Sequence, residues 1–401
     1  MLLLGAEGRN AGKTVLACAV IARISRDFPI VGVKVTTVKG RGRPCSRGGH
    51  GCGACDVFEG PFCIEEETAG TPDKGTPGKD TTRMLQSGAL RVFWARTRAE
   101  SLRECLAALR ERIGSGVLVV AESNSLATVC DPGLFLMVRE RGASTAKPTA
   151  RMVVRHADRV VLSDRVSFDL DPAELAVRDG GWQLLDSSAV ILAGGASSRM
   201  GMDKSLLEIH GMPLIQRLIA QLRGRFREVL ISADDPAPYR STGLRVISDE
   251  QPGHGPLVGI AAALEAAQTE TVFVVACDIP DINPRFVRRL LAEARRADCA
   301  IPRRPDGTRE PLFSAWRKSA LPAIREVLAA GERKIAAVFP RIQVTAVDLV
   351  DGAWLRNLNT PEDVADYLAS SAQEGAAQQA DVAQQADVVQ QEGLSLHPAS
   401  G

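Results

Sequence analysis

Four stretches of this chain gather residue types that could hold phosphate or metal. Residues 192–204 read LAGGASSRMGMDK. Gly194 and Gly195 carry no Cβ, so main-chain N–H groups there can come close to a phosphate or a base edge. Arg199 adds a planar fork of donors and Lys204 a compact point charge, a combination that suits a triphosphate. A tight turn with solvated basic residues is the plain alternative for a short string of this kind. Two carboxylates also close apolar runs: Asp249 in RVISDE and Asp278 in TVFVVACDIP. Mg²⁺ favours a carboxylate or two plus substrate phosphates. Asp278 stands where a buried strand would deliver such a ligand, although it could equally cap a helix starting near Pro284.

The third stretch is GAEGRNAGKT, residues 5–14. Its close, Gly12-Lys13-Thr14, matches a P-loop, with backbone N–H groups around a β-phosphate, Lys13 toward the β- and γ-phosphates and Thr14 on Mg²⁺. The leading glycine of that motif is replaced by Glu7, with Gly8 one step too near and Gly5 two too far. Glu122, ending GVLVVAE, is the candidate second acid for the metal. A glycine-rich turn entering a helix is the competing reading, and the absence of an NKxD-like string leaves base preference open. The fourth stretch is C-x6-C-x2-C-x7-C, formed by Cys45, Cys52, Cys55 and Cys63 with His50 inside it. Four such thiolates could hold zinc or an iron–sulfur cluster, or could be reduced thiols of a loop.

Alternating elements must position these groups. An apolar strand, LLLG, precedes the P-loop-like stretch, and the helical run KTVLACAVIARIS follows it. The strand IVGVKVTTV comes next, then a Gly-, Pro-, Cys- and Thr-rich stretch from about Lys39 to Thr82 that reads as irregular. A helix in ESLRECLAALRERI, a strand in GVLVVAE and a last strand in DRVVLSD complete this region. The pattern restarts at AVILAGG and continues through helix MPLIQRLIAQL, strands EVLISA and LRVISDE, helix PLVGIAAALEAA and strand TVFVVACD. Pro256 suits the first position of its helix, and the lone His254 reads as a solvated loop residue. The expected fold class is α/β, with two doubly wound, mostly parallel-sheet domains over residues 1–185 and 186–370. Residues 371–401 contain QQADVAQQADVVQQ and too few large apolar residues for a core, which predicts a disordered tail.

Composition limits the partners. The 401 residues carry a net charge of +1 and are 45% hydrophobic, enough for two cores and without the charge of a general nucleic-acid or membrane-surface binder. No apolar run approaches a membrane span and no basic leader opens the chain, so a cytoplasmic protein is expected. Cys18, Cys105, Cys130, Cys277 and Cys299 lie among apolar neighbours and read as small core residues.

The string LAGGASSRMGMDK resembles the signature of the nucleotidyltransferases that include nucleotide-sugar pyrophosphorylases and molybdenum cofactor nucleotidyltransferases. Its LAGG form is most similar to the molybdenum cofactor guanylyltransferases, since the cytidylyl members carry LAAG. The family's CDxP motif matches Cys277, Asp278 and Pro280, and its GERK and NxNTPE strings match residues 331–334 and 357–362. The resemblance, covering nearly all of residues 189–368, implies a set of roles. Leu192, Ala193, Gly194, Gly195, Lys204, Asp249 and Asp278 would bind nucleotide, with Arg199, Lys204 and Asp278 catalytic and Asp278 on Mg²⁺. Asn357 and Asn359 would lie on the acceptor side; Arg333 and Lys334 would meet the acceptor's phosphate or simply begin a solvated helix. Thr360, Pro361, Glu362 and Asp363 have a local reading as a capped helix start. Ser232 departs from an asparagine frequent in the family.

The first region resembles the P-loop accessory protein of molybdopterin guanine dinucleotide synthesis, through GRNAGKT, GVKV and KDTTRMLQSGA. Together the resemblances imply transfer of GMP from GTP to molybdopterin with release of pyrophosphate, beside a GTP-binding helper. Molybdoenzymes or their chaperones are then candidate partners. The alternatives are a cytidylyltransferase or sugar-1-phosphate nucleotidyltransferase of the same fold, and a GTP-binding adaptor whose transferase half is inactive.

Overall fold

Fully buried strands of five or six residues form the centres of two seven-stranded sheets in a computed structural model of the chain. The structure describes residues 1–8, 10–38, 59–68, 80–143, 146–193, 204–248, 255–350 and 352–370. Gly194, Gly195, Arg199, Asp249, Cys45, Cys52, Cys55 and the 371–401 tail fall outside these residues, as does the side chain of Lys204.

The first sheet is built from β1 (Leu2–Ala6), α1 (Lys13–Ile24), β2 (Ile30–Val38), β3 (Phe62–Thr68), α2 (Asp80–Gln86), β4 (Arg91–Arg98), α3 (Leu102–Ile113), β5 (Leu118–Glu122), β6 (Leu134–Glu140), α4 (Pro148–Val153) and β7 (Arg159–Ser163). Its order is β3-β4-β2-β5-β1-β6-β7, parallel throughout except for β3 against β4. Successive side chains of a strand face opposite layers. Leu2, Leu4 and Val120 accordingly pack on α1 and α2, while Leu3, Val33 and Ala121 pack on α3 and α4. The expectation of an irregular stretch from Lys39 to Thr82 needs correction. β3 occupies 62–68 as an edge strand and α2 begins at Asp80. A hairpin, β8 (Leu175–Arg178) and β9 (Gly181–Leu184), follows β7.

The second sheet is built from β10 (Ser187–Leu192), the small ladder β11 (Glu208–Ile209) and β12 (Met212–Pro213), α5 (Leu214–Leu222), β13 (Val229–Ser232), β14 (Arg245–Ile247), α6 (Pro256–Ala266), β15 (Thr271–Ala276), α7 (Pro284–Ala294), β16 (Cys299–Arg303), β17 (Phe313–Arg317), α8 (Leu321–Ala329) and β18 (Val344–Asp348). Its order is β14-β13-β10-β15-β17-β16-β18, with β17 antiparallel to both neighbours. Ile191, Ile231 and Phe273 face α5 and α7, whereas Val190, Leu230 and Val274 face α6 and α8. Both halves are thus the mixed α/β sheets, dominated by parallel strands, that alternation in the sequence predicts. No helix among the described residues is long and apolar enough to cross a membrane.

The two sheets meet through charged contacts. Arg288 Nη2 donates to Asp131 (2.7 Å) and its Nε lies 3.0 Å from Asp158. Arg295 Nη1 donates to the Asp158 carbonyl (2.8 Å), and its Nε to Asp186 (3.2 Å). Arg296 Nη2 donates to the Ala157 carbonyl (2.8 Å). Asp131, Asp158 and Asp186 each precede a strand, so these contacts lie at the amino-terminal edges of β6, β7 and β10.

Candidate nucleotide-binding sites

In the second half, the buried run of β10 ends at Leu192, and Ala193 donates its N–H to the Ser232 carbonyl at 2.8 Å. Cys277 N–H donates to the Leu192 carbonyl at 3.0 Å, which brings Asp278 beside the carboxyl end of β10. Such carboxyl edges of parallel strands are where doubly wound sheets hold ligands. Leu358 N–H then donates to the Asp278 carbonyl at 2.8 Å. Leu358 is buried while Asn357 and Asn359 on either side are exposed, so both asparagines are held at the edge that carries Asp278. Asp363 N–H donates to Thr360 Oγ1 (3.2 Å), and Asp363 Oδ2 accepts from Thr360 N–H (2.8 Å). This reciprocal cap fixes the turn carrying the asparagines and matches the local reading of TPED.

Arg333 is placed differently. Its Nη1 donates to the Leu328 carbonyl at 2.8 Å, closing the end of α8, and Lys334 is exposed. Ser232 is buried at the end of β13, with its Oγ 2.7 Å from where a Cβ on Gly259 of α6 would sit. The position where the family carries asparagine is therefore a close contact between sheet and helix.

Motif reasoning missed Tyr239. Its buried hydroxyl donates to the Ala193 carbonyl (3.2 Å) and lies 2.9 Å from Ser205 Oγ. One phenol thereby ties Ala193, just after β10, to Ser205. Arg217, Asp281 and Tyr367 form a second unforeseen cluster: Arg217 Nη2 donates to Asp281 (2.8 Å) and to the Tyr367 hydroxyl (2.9 Å). Burial raises the Tyr367 hydroxyl to about 12, with the Asp281 charge adding to the effect.

In the first half, Gly12 caps α1 with φ of 90°, a left-handed conformation that favours glycine, and a Cβ there would lie 2.8 Å from Ser163 Oγ. Lys13 and Thr14 form the first turn of α1, whose unpaired N–H groups favour an anion. Glu7, where the P-loop pattern wants glycine, is turned onto β6 and accepts two hydrogen bonds from Arg139 (2.6 and 2.7 Å). Asn124 clamps the residue just before it: its Oδ1 accepts from Ala6 N–H (2.8 Å) and its Nδ2 donates to the Ala6 carbonyl (2.9 Å). Glu122 is 1% exposed, lies 3.7 Å from Lys13 Nζ, and neither of its carboxylate oxygens receives a hydrogen bond among the described residues. A buried carboxylate in that state suits a cation.

The cysteine set is not assembled as a described site. Cys63 lies on β3 with its sulfur 3.7 Å from Arg96 Nη2, and its three expected partners are outside the described residues. Among the described residues no group of three or more potential ligands could hold a metal ion. The zinc or iron–sulfur reading of this set thus rests on residues that, Cys63 apart, lie outside the described residues.

Residues 189–345 match the MobA-like NTP transferase domain family. A protein of Pelotomaculum thermopropionicum, named a probable molybdenum cofactor guanylyltransferase, is 36% identical over 202 residues, which cover 48% of this chain and 98% of that one. The molybdenum cofactor guanylyltransferase of Vibrio cholerae is 38% identical over 188 residues, covering 46% and 92% respectively. Among solved structures, the molybdopterin-guanine dinucleotide biosynthesis protein A of Archaeoglobus fulgidus is 24% identical with a TM-score of 0.41, covering 46% of this chain and 99% of that one. With over a third of positions shared across nearly the full length of such relatives, the chain belongs to the molybdenum cofactor guanylyltransferase family.

Proposed function

We infer that this chain is a nucleotidyltransferase that moves GMP from GTP onto the terminal phosphate of molybdopterin and releases pyrophosphate. The observation that carries the reading is the identity of 35 to 38% with guanylyltransferases over more than nine-tenths of their length. The acceptor phosphate oxygen attacks the α-phosphorus of GTP, the bond to the β-phosphate oxygen breaks, and pyrophosphate carries that electron pair away. The second half, residues 186–370, does this work. The main chain from Leu192 to Gly195 cradles the nucleotide, and Arg199 and Lys204 neutralise the phosphates. Asp249 supports the nucleotide, and Asn357 and Asn359 face the acceptor. Asp278 holds Mg²⁺, which when bound offsets charge on the phosphate oxygens. Catalysis rests on positioning and charge neutralisation rather than on a covalent protein nucleophile. Incubating the purified chain with molybdopterin and either GTP or CTP tests this reading. Dinucleotide and pyrophosphate should form with GTP; preference for CTP, or turnover with a sugar 1-phosphate instead of molybdopterin, would overturn it.

The first half, residues 1–185, is a P-loop nucleotide-binding module that assists the transferase. The buried Glu122, 3.7 Å from Lys13 Nζ and without a hydrogen bond among the described residues, favours this second reading. Lys13→Ala should remove one nucleotide-binding event while residues 186–370 keep their transfer activity; transfer abolished by that change would count against an auxiliary role.

A further inference from the structure

Two segments of the second half are bonded to each other at both ends. One is the loop of residues 277–283, which leaves β15, carries Asp278 and enters α7. The other is the turn bearing Asn357 and Asn359, with the helix of residues 361–370 that follows it. At one end Leu358 N–H donates to the Asp278 carbonyl at 2.8 Å. At the other the Tyr367 hydroxyl donates to Asp281 Oδ1 at 3.0 Å. Helix α5 closes the arrangement from a third side. Arg217 Nη2 donates to Asp281 Oδ1 (2.8 Å) and to the Tyr367 hydroxyl (2.9 Å), and its Nε donates to the Pro280 carbonyl (3.2 Å). One turn further along α5, Gln221 Nε2 donates to the same carbonyl (2.8 Å), and Gln221 Oε1 accepts from Ile282 N–H (2.9 Å).

We propose that Arg217, Asp281 and Tyr367 are positioning residues that lock the acceptor-side turn to the loop carrying Asp278, an inference that rests on the transferase reading of the second half. In that reading the loop serves the nucleotide and the turn serves the acceptor, so attack needs both in one register. A misplacement of about 1 Å can cost on the order of 10²-fold in rate. The bond from Leu358 to Asp278 would by itself let the turn pivot. Leu358 and Tyr367 do pack with Ile209 and Leu214, but apolar contact is non-directional and leaves small slides open. The contact at Tyr367 removes that freedom, and it is charge-assisted, because one carboxylate oxygen accepts from both the guanidinium and the phenol. Burial, with the Asp281 charge adding to it, raises the Tyr367 hydroxyl to about 12, so it keeps the proton it donates at neutral pH. The Arg217 and Asp281 side chains are 31% and 32% exposed, and an ion pair that solvated adds little to stability. Its loss is felt in the register of the two segments rather than in folding.

The experiment pairs steady-state transfer by the full chain, with GTP and molybdopterin varied separately, with deuterium exchange of the free protein. Tyr367→Phe keeps the ring in its apolar cluster and removes the hydroxyl. Asp281→Asn keeps the side chain's size and removes its charge. In both variants kcat should fall about tenfold and the KM for molybdopterin should rise several-fold, while the KM for GTP and the melting temperature stay close to wild type. The double variant should lose little more than the worse single one, because both changes open the same lock. The Ile282 and Leu358 amides should exchange faster in each variant, with those of β10 and β15 keeping their protection. Wild-type kinetics and exchange in both variants would overturn the positioning role and leave the transferase reading standing. A loss that follows a lowered melting temperature and falls equally on GTP and acceptor would overturn it too. A wild-type chain that forms no dinucleotide would remove the transferase reading and the role together.

Discussion

Beside the residues proposed to bind nucleotide and acceptor stand side chains that hold neighbouring segments in place. Asp278 is visible because a wholly buried strand ends just before it, whereas Asn357 and Asn359 are picked out only by the resemblance of NLNTPE to the family's string. Tyr239 gives no such signal. Its contacts reach back 46 residues to Ala193 and 34 to Ser205, and no local pattern encodes them. Asn124 does the same in the first half, clamping Ala6 from 118 residues away. Each fixes the residue at which a strand turns into its loop. Tyr239→Phe keeps the ring's packing and leaves the Ala193 carbonyl and Ser205 hydroxyl short of a partner, at a cost of roughly 1–3 kcal/mol. The expected outcome in steady-state kinetics is a several-fold higher KM for GTP with a smaller change in kcat; an unchanged KM would show that this hydroxyl does not position the loop. Asp278→Asn should act differently. It keeps the side chain's size and removes its charge, so turnover should fall on the order of 10²-fold or more and recover in part at high Mg²⁺. A variant with normal turnover and normal Mg²⁺ dependence would remove Asp278 from the mechanism.

At the scale of elements, burial decides what could be read. β1, β5, β10 and β15 are apolar runs because both faces of a central parallel strand are covered, and each stands out in the sequence. β3 and β4 do not. FCIEEET at the sheet edge carries three consecutive glutamates, and its partner RVFWARTR answers with arginines: Arg96 pairs with Glu65, and Arg91 with Glu66 at 3.4 Å. An edge strand of this composition reads as loop when seen alone, since its cross-strand ion pairs are invisible until the register is known. Helix α6 illustrates the reverse problem. PLVGIAAALEAA is legible as a helix, yet nothing local explains Gly259 in its interior. There the helix lies so close to the sheet that a Cβ would stand 2.7 Å from Ser232 Oγ and 3.2 Å from Leu192 Cδ2. Gly259→Ala should gain helix propensity and still destabilise the protein, by roughly 1–3 kcal/mol, because α6 must move off β10 and β13. Chemical denaturation measures the balance. A net gain in stability would mean that the Ser232 side chain rotates away at little cost.

At the scale of the whole molecule, the two sheets face each other through the amino-terminal edges of β6, β7 and β10, so the carboxyl edges bearing Lys13 and Asp278 open away from the interface. Sequence alternation yields two sheets but says nothing of this arrangement, which rests on arginines of α7 and the residues just after it reaching carboxylates far away in the chain. Asp158 is its least solvated member. It accepts from Phe135 N–H at 2.6 Å and lies 3.0 Å from Arg288 Nε. Burial raises its carboxyl from the ordinary 3.8 to about 6, the Arg288 and Arg295 charges opposing that rise and the Asp131 charge adding to it. The native protein therefore keeps a proton that the unfolded chain gives up between about pH 4 and pH 6. Stability from this group is complete below pH 4 and is lost as pH rises through 6, a change on the order of 3 kcal/mol for a shift of about two units. Asp158→Asn retains an oxygen for the Phe135 N–H and has no proton to lose. Wild-type stability measured relative to Asp158→Asn should consequently fall between pH 4 and pH 6 and then level off. Denaturant midpoints of the two proteins across pH 4–7.5 check this. A constant difference across that range would mean that Arg288 keeps Asp158 ionised throughout, with the interface held by an ordinary ion pair.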